Sequence, residues 1–378
     1  PRDPRWGRVM ECFGEDPYLT GVMATASVRG YQENAMAACL KHFIGYAESE
    51  GGRDYRYTSI SPRALYEVHL QPYKAGIEAG AASVMSAFND INGIPASGNR
   101  FTLTDVLRDQ LGFEGIVVSD WCSVEELVIH GVAEDLKEAA EKGICAGVDV
   151  DMVGCAYERF LEQSIEEGRI SIEVIDQAVR RILRVKFQMG LFEHPYVEEG
   201  KTITSPLPEL HRQIARRLSL ESFVLLKNDN HLLPLNPDTL SSVALIGPSA
   251  TADIDMYSSW ARANRVPENV ITLLDGVTAR VGAACNVRHA KGCDYETNDA
   301  SGFDEAVALA NQSDVVVACL GEPGALSGEN KSRANINVPG VQMDLLRKIK
   351  ATGKPLVVVL TNGRPLCIEE LSGLADAL

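Results

Sequence analysis

The first half of the chain alternates short apolar runs with amphipathic stretches, and this alternation constrains the fold more than any other feature. The apolar runs have the length of strands, and the stretches between them have helical periodicity. Strands that alternate with helices pair in parallel, because each helix carries the chain back across the sheet. We therefore predict an α/β fold. The predicted strands are Ala38–Phe43, Ala82–Phe88, Gly115–Asp120 and Cys145–Met152, and the predicted helices are Ser61–Ala79, Thr104–Leu111 and Glu125–Lys142.

Each predicted strand ends in polar or charged residues, namely Lys41–His42, Asn89–Asp90, Asp120 and Asp149–Asp151. In a (β/α) barrel the carboxyl ends of the strands form the mouth of the active site. Four strands are too few to close such a barrel. We therefore expect an incomplete (β/α) TIM-barrel-like domain, with an N-terminal piece of the barrel missing from this sequence.

The second half of the chain repeats the α/β pattern after a long predicted helix at Ser171–Met189 and a stretch rich in Pro, Gly, Glu and Thr. Such a composition is typical of a linker. We predict the C-terminal part of a (β/α)8 barrel at 1–192, a linker at 193–210 and an α/β sandwich domain, incomplete at its C-terminus, at 211–378. The elements predicted in this second domain are a helix at His211–Glu221, strands at Ser222–Lys227, Val243–Gly247, Asp314–Gly321 and Pro355–Asn362, and helices at Phe303–Asn311 and Gln342–Thr352.

The composition excludes several classes of function. The formal net charge of −16 argues against nucleic acids and anionic membranes as partners. No run approaches the ~18 apolar residues of a membrane-spanning helix. Neither a P-loop nor a strand-linked GxGxxG motif occurs, so we expect no nucleotide cofactor, and no cysteine pattern indicates a metal site. The nine cysteines, with Cys39 and Cys319 inside apolar runs, are expected to be buried free thiols, which favours a reducing compartment.

Asp120 follows a short apolar strand in the segment Gly115–Trp121 and has two interpretations. At the end of a barrel strand it is a rigidly held catalytic carboxylate. Alternatively, it caps the following helix. A loop at 321–330 offers two further acids, Glu322 and Glu329, which are either catalytic groups on a mobile loop or ordinary solvated acids.

An aspartate on a strand end and a glutamate on a loop suit a retaining glycosidase, whose two carboxyl groups lie roughly 5–5.5 Å apart. Lys41 and His42 can donate to sugar hydroxyls, and a cation near Asp120 would keep it ionised; a structural His beside a surface Lys is the alternative. Arg8 is either a ligand of hydroxyl groups or the partner of Glu11, Glu15 or Asp16 in a structural ion pair. Trp121 and Trp260 could stack on sugar rings or pack in the core.

Taken together, these segments resemble glycoside hydrolase family 3, especially bacterial β-glucosidases of the periplasmic type. The matching motifs follow the family's order along nearly the whole chain. They are PRDPRWGR (1–8), FGEDPYL (13–19), KHF (41–43), VMSAFNDING (84–93), LRDQLGFEGIVVSDW (107–121), AGVDVDM (146–152), AVRRILRVKFQMGLFE (178–193), ESFVLLKN (221–228), LLPL (232–235), ALIGPSA (244–250), SGE (327–329) and TNGRPL (361–366).

The resemblance implies a barrel-like first domain, an α/β sandwich second domain and an active site between them. Asp120 matches the family's nucleophile, and Glu329 matches its general acid/base, with Glu322 as the alternative. The implied sugar-binding residues are Arg8, Lys41, His42, Met85, Trp121 and Trp260.

Two departures from the family pattern stand out. Phe88 occupies a position where many relatives have Tyr, so one potential hydroxyl contact is lost. The upstream barrel strands, which normally supply an aspartate that grips the sugar, are absent from this sequence. We therefore expect this chain alone neither to fold stably nor to turn over substrate.

The function expected of the full-length protein is that of a retaining exo-acting β-glycosidase, most simply a β-glucosidase, acting on a small carbohydrate without a cofactor or metal. The alternatives are a β-xylosidase or another β-glycosidase on the same scaffold, and a non-catalytic sugar-binding homologue. KHFIGYAE stands where the family's β-N-acetylglucosaminidases carry KHFPGHG, which disfavours that activity. The sequence leaves open a homodimer, and either a cytoplasmic or a periplasmic location.

Overall fold

A computed structural model of the protein describes residues 1–197, 208–257, 260–261, 270–282 and 285–378. The chain divides into two units, Pro1–Glu199 and Gly200–Leu378. Residues 198–207, the greater part of the predicted linker, lie outside the described residues, and the domain bounds given above stay a prediction. Among the described residues, no helix has both the length and the apolar character needed to cross a membrane.

The first unit contains six strands among its described residues: β1 (Cys39–Phe43), β2 (Tyr57–Thr58), β3 (Ser83–Ser86), β4 (Asp90–Ile91), β5 (Ile94–Pro95) and β6 (Ile116–Val118). It is built around a parallel sheet with the order β1-β3-β6. The chain continues this sheet at Val150, which forms a parallel bridge with Val118. The three short strands β2, β4 and β5 make a separate small sheet.

Three of the four strands predicted in this half are confirmed, with shorter bounds. The fourth prediction, Cys145–Met152, is wrong as a full strand, because Cys145 belongs to a helix that runs from Leu136 to Ala146 and only Val150 bridges to the sheet. The helix ends at Gly147, whose φ of +115° a residue with a side chain rarely adopts.

Helices cover the first unit's sheet and enclose a core that includes Phe43, Val84, Leu103, Leu107 and Val117, all fully buried. The predicted helix Ser61–Ala79 appears as a continuous helical segment over 62–78, and Glu125–Lys142 is divided into two helices. The principal helices are Pro17–Gln32, Leu70–Glu78, Phe101–Gln110, Glu126–Ile129, Leu136–Ala146, Ala156–Glu166 and Ile172–Gln188.

A buried carboxylate, Asp149, ties three of these elements together. Its Oδ2 accepts hydrogen bonds from Arg108 Nη2 at 2.7 Å and from the Val117 amide at 2.8 Å. Its Oδ1 accepts one from Arg181 Nη1 at 2.8 Å. Because Arg108 belongs to helix Phe101–Gln110 and Arg181 to helix Ile172–Gln188, this single side chain joins two helices to β6, the strand that leads to Asp120.

The strands described in the second unit are β7 (Ser242–Ile246), β8 (Asn286–Ala290), β9 (Val315–Gly321) and β10 (Leu356–Thr361). They form a parallel sheet with the order β10-β9-β7-β8. Every residue of β9 is buried, as expected for a parallel strand covered on both faces. One face of the sheet packs against helices Phe303–Asn311 and Gln342–Lys350 and the other against helix Leu273–Val281.

The predictions for the second unit were right for β7, β9, β10 and the two helices on one face. The predicted strand Ser222–Lys227 is wrong: Ser222 ends helix Glu209–Ser222, and the following residues form no strand. The amides of Leu226 and Lys227 donate to the carbonyl of Leu378 instead. The confirmed elements establish an α/β fold with parallel sheets in both units.

All nine cysteines lie within the described residues and are free thiols. The expectation that they are buried holds for Cys285, Cys293 and Cys319. It is wrong for Cys145 and Cys367, which are exposed, and for Cys39, which is exposed although it lies in β1, because alternate side chains of that strand face outward. Cys12, Cys122 and Cys155 are partly buried.

Candidate active site

Asp120 lies two residues beyond the end of β6, at the carboxyl end of the parallel sheet. The residue is only 8% exposed, and its Oδ1 accepts the Trp121 amide at 2.7 Å. The next helix begins at Glu126, with Glu125 rather than Asp120 at its N-cap position. The interpretation of Asp120 as a helix cap is therefore wrong, and its carboxylate is instead a rigidly held group at the strand end.

His42, in β1, brings its imidazole next to this carboxylate. Its Nε2 atom lies 3.3 Å from Asp120 Oδ2, and the side chain is 8% exposed. Burial, reinforced by the positive charges of Arg8 and Lys41, holds the pKa of His42 well below its ordinary value. His42 is therefore neutral at neutral pH, so it can donate or accept one hydrogen bond without adding charge beside Asp120.

Two cations, Lys41 and Arg8, act on His42, and they differ in how deeply they are buried. Lys41 is exposed, next to His42 in β1. Arg8 is buried, and its Nε and Nη2 atoms donate to both carboxylate oxygens of Glu11 at 2.7–3.0 Å. The predicted alternative of an ion pair with Glu11 is thus present, and it fixes the plane of the guanidinium group beside the site. Burial opposes the charge of Arg8, but Glu11 raises its pKa above the ordinary value.

Tyr46 is a member of this group that the sequence interpretation missed. Its ring centroid lies 5.1 Å from that of His42 and 5.3 Å from that of Trp6, both edge-on, and 5.5 Å from Arg8 Cζ. Phe88 packs against it at 5.9 Å, within the core. The aromatic residue just after Gly45 in KHFIGYAE was the signal available in the sequence.

The other predicted residues of the first unit are less closely held. Met85, half-buried in β3, pairs with Val118 of β6. Trp121 is 62% exposed, directly after Asp120. A cavity of about 520 Å³ has Arg8, Lys41, His42 and Tyr46 in its wall, while Asp120 is not part of that wall. Its size falls within the range of small-molecule sites.

In the second unit, the two candidate glutamates have different environments. Glu322, directly after β9, is buried, and its Oε1 accepts Arg333 Nη1 at 2.5 Å and Arg364 Nε at 3.2 Å. Two guanidinium groups thus engage this carboxylate through charge-assisted hydrogen bonds inside the second unit. Glu329 is half-buried on the loop that follows, and Trp260 is 46% exposed.

Within the part of the chain that the structure describes, no group of three or more His, Cys, Asp or Glu side chains is arranged to hold a metal ion. The candidate residues of both units supply carboxylates, a neutral imidazole and cations. Asp120, His42 and the flanking cations form one group in the first unit, while Glu329, Glu322 and Trp260 belong to the second unit.

Comparison with known proteins finds similarity to one enzyme family in both parts of the chain. Residues 1–185 match the model of the glycosyl hydrolase family 3 N-terminal domain, and residues 223–378 match that of its C-terminal domain. The chain is 40% identical, over its whole length, to a periplasmic β-glucosidase of Salmonella typhimurium, covering 53% of that protein. It is 39% identical, over 98% of its length, to a β-xylosidase of Formosa agariphila, covering 54% of that protein.

The fold matches as well. The crystal structure of a β-glucosidase from Listeria innocua in complex with isofagomine superposes with a TM-score of 0.93 at 39% identity, over 100% of this chain and 53% of that one. The chain thus spans about half the length of the relatives it matches. With both domain models matched in order and the fold shared, the chain belongs to glycoside hydrolase family 3.

Proposed function

We propose that the protein to which this chain belongs is a retaining, exo-acting β-glycosidase that releases terminal β-D-glucosyl residues. The observation that carries the proposal is the Asp120 carboxylate at the end of β6, buried, fixed by the Trp121 amide and 3.3 Å from a neutral His42. A desolvated carboxylate with fixed orientation is suited to attack, since little reorganisation is needed as the transition state forms.

In the proposed reaction, Asp120 Oδ2 attacks the anomeric carbon, because Oδ1 is engaged by the Trp121 amide. A bond from Oδ2 to that carbon forms as the glycosidic bond breaks, and Glu329 gives its proton to the leaving oxygen. In the second step Glu329 takes a proton from water. The water oxygen then bonds to the anomeric carbon and the ester to Asp120 breaks, which releases the sugar with its original configuration.

The choice of Glu329 rather than Glu322 rests on their surroundings. An acid/base catalyst must change its protonation state and reach the leaving oxygen. Glu322 is already engaged by Arg333 and Arg364, and its side chain is not exposed at all. Glu329 lies on the loop and is half-buried, so part of its side chain is accessible.

The remaining predicted residues are proposed to bind the sugar. Lys41 and His42 would donate to its hydroxyl groups, and Arg8, whose orientation Glu11 fixes, would contribute its guanidinium group. Met85 would contact the ring, and exposed Trp121 and Trp260 would stack on apolar sugar faces. The substrate class is thus a small β-linked carbohydrate. The Listeria innocua β-glucosidase, solved with glucose and with laminaribiose, supports this choice.

The nucleophile can be tested with a 2-fluoro β-glucoside that carries a good leaving group. Incubation with the complete natural protein should leave a covalent fluoroglucosyl adduct on Asp120, located by mass spectrometry of the digest. Asp120→Asn should give no adduct while His42 and its surroundings stay folded. Labelling of another residue would refute the assignment, and sugar binding with neither labelling nor turnover would favour the non-catalytic homologue.

The acid/base can be tested by chemical rescue. Glu329→Gly should lose most activity and regain rate with azide on substrates with good leaving groups, since azide replaces the water that needs a base. Glu322→Gly is the matched control, because it removes the neighbouring glutamate of the same loop. Rescue of Glu322→Gly instead of Glu329→Gly would show that the wrong glutamate has been chosen.

A β-xylosidase is the second candidate, because the relative from Formosa agariphila that carries this name is 39% identical, almost the 40% of the β-glucosidase relative. The two activities differ in the sugar's hydroxymethyl group. The kcat/KM values of matched 4-nitrophenyl β-glucoside and β-xyloside separate them directly. A larger value for the xyloside would replace the proposed substrate and leave the roles of Asp120 and Glu329 in place.

A further inference from the structure

The loop at 322–333 carries Glu329 beyond the end of β9, and its one short helix, Gly324–Leu326, ends before Glu329. Gly328 and Asn330, on either side of Glu329, have φ values of +114° and +58°, so the chain turns twice at this point. Loops of this kind are ordinarily mobile. A proton donor, by contrast, must be held within hydrogen-bond reach of the atom that it protonates.

One side chain holds both ends of the turn. Arg364, which follows β10, is only 2% exposed. Its Nη2 atom donates to the carbonyl of Leu326 and, at 2.9 Å, to that of Lys331. These carbonyls flank the four residues 327–330, so a single guanidinium group closes the turn that contains Glu329.

Glu322 in turn fixes the guanidinium group of Arg364. Its Oε1 accepts Arg364 Nε at 3.2 Å and Arg333 Nη1 at 2.5 Å. Arg333 also donates to the carbonyl of Asn337 at 3.2 Å, which holds the far end of the loop. Burying Arg364 without this carboxylate would be costly, because an unpaired charge would then lie in the protein interior. Glu322 therefore has a structural function in the loop.

Hydrogen bonds also hold the end of β9, from which the loop begins. The side chain of Gln342 is fully buried, accepts the Gly321 amide at 2.9 Å and donates to the Gly321 carbonyl at 2.8 Å. At the next turn, the Gly324 amide donates to Asp255 Oδ1 at 2.7 Å. The loop thus begins from a fixed point, and Arg364 fixes its tip.

We propose that Arg364, oriented by Glu322, is a positioning residue that holds the carboxyl group of Glu329 in place for proton transfer. This inference rests on the proposed acid/base role of Glu329. The rigid, planar guanidinium group of Arg364 donates to Glu322 through Nε and to the two carbonyls through Nη2, and the single rotatable ammonium group of lysine cannot reproduce this fixed arrangement. A misplacement of about 1 Å at a reacting group can cost about 10²-fold in rate.

The test is Arg364→Lys in the complete natural protein, assayed on aryl β-glucosides with poor and with good leaving groups. We expect kcat/KM to fall about 10²-fold for phenyl β-glucoside, which needs the proton. The fall should be much smaller for 2,4-dinitrophenyl β-glucoside, whose leaving group needs no protonation. Arg347→Lys is the matched control: Arg347 pairs with Glu370 on the surface of the same unit, so neither rate should change.

Two further variants separate a positioning role from a loss of folding. Glu322→Gln leaves Arg364 in place but removes the charge that orients it, so it should show the same dependence on leaving group. Arg364→Lys combined with Glu329→Gly should be no slower than Glu329→Gly alone, because a missing acid cannot be misplaced. Far-ultraviolet circular dichroism and thermal unfolding verify that each variant is folded.

The possible failures are distinguishable. An equal loss on both substrates, or additive losses in the double variant, would overturn the positioning role of Arg364. Glu329→Gly that loses no rate on phenyl β-glucoside would overturn the acid/base assignment itself, whatever Arg364→Lys does. If Glu329→Gly loses activity as expected but neither Arg364→Lys nor Glu322→Gln has an effect, only the inference about Arg364 is overturned.

Discussion

Replacing Asp149 by Asn should destabilise the first unit more than any conservative change on its surface. The carboxylate accepts three hydrogen bonds, and its side chain is 1% exposed. Asparagine has nearly the same shape but has no charge, and its NH₂ group would face donors. Arg108, whose side chain is 9% exposed, would then lie in the interior without its counter-charge.

The expected loss in the free energy of unfolding is about 3–5 kcal/mol, the usual cost of removing one partner from a buried ion pair. Most of this loss comes from Arg108, because Arg181 is 25% exposed and can regain water. Burial already lowers the pKa of Arg108 to about 10, against the opposing effect of Asp149, so its charge is poorly solvated in the folded protein.

Urea unfolding of the complete natural protein, followed by tryptophan fluorescence, would measure the loss, and hydrogen exchange of the Val117 amide would show whether the end of the sheet opens. Asp176→Asn is the matched control, since its pair with Arg180 on helix Ile172–Gln188 is exposed and contributes little. Replacing both Asp149 and Arg108 by Leu and Met should recover much of the loss. A loss for Asp149→Asn as small as the control's would refute the reasoning.

Two other predictions concern pH and backbone geometry. Unfolded His42 takes up a proton near pH 6.5, whereas folded His42 does so only at much lower pH. The free energy of unfolding should therefore fall by about 1.4 kcal/mol for each pH unit below 6.5. His42→Gln should reduce this slope, and equal slopes for the variant and the natural protein in urea unfolding would contradict the prediction. Gly321→Ala should strongly lower the melting temperature, because φ is +147° and its Cβ would lie 1.8 Å from the Thr361 carbonyl oxygen. Gly373→Ala, a helical site with open space, should be neutral or stabilising, and similar melting temperatures for the two variants would refute the argument.

The elements that the sequence predicted correctly are those in which pattern and burial coincide. β9 is a continuous apolar run, and it is buried throughout. β8 was missed because it lies at the sheet edge and carries Arg288 and His289, so its sequence lacks the apolar signal. Residues 222–227 have that signal but lie next to a helix end without a neighbouring strand, and the apolar side chains Phe223 and Val224 are largely exposed.

The candidate site also has residues that could be predicted from the sequence and residues that could not. Asp120 and His42 could be predicted because the ends of parallel strands converge, a rule that needs only strand positions. The pairing of Glu322 with Arg364 joins residues 42 positions apart and depends on how β9 and β10 align, which periodicity does not specify. Tyr46 was missed for a related reason, since its contacts with Trp6 and Arg8 depend on the packing of a loop.

The three buried thiols of the second unit give its sheet a built-in reporter of local opening. Burial raises the pKa of Cys319, in the middle of β9, to about 12 and that of Cys293 to about 11, so neither forms the reactive thiolate at neutral pH. Exposed Cys367 can be alkylated in the folded chain. The rate at which Cys319 becomes alkylated therefore measures how often the strand that carries the Glu329 loop separates from its neighbours.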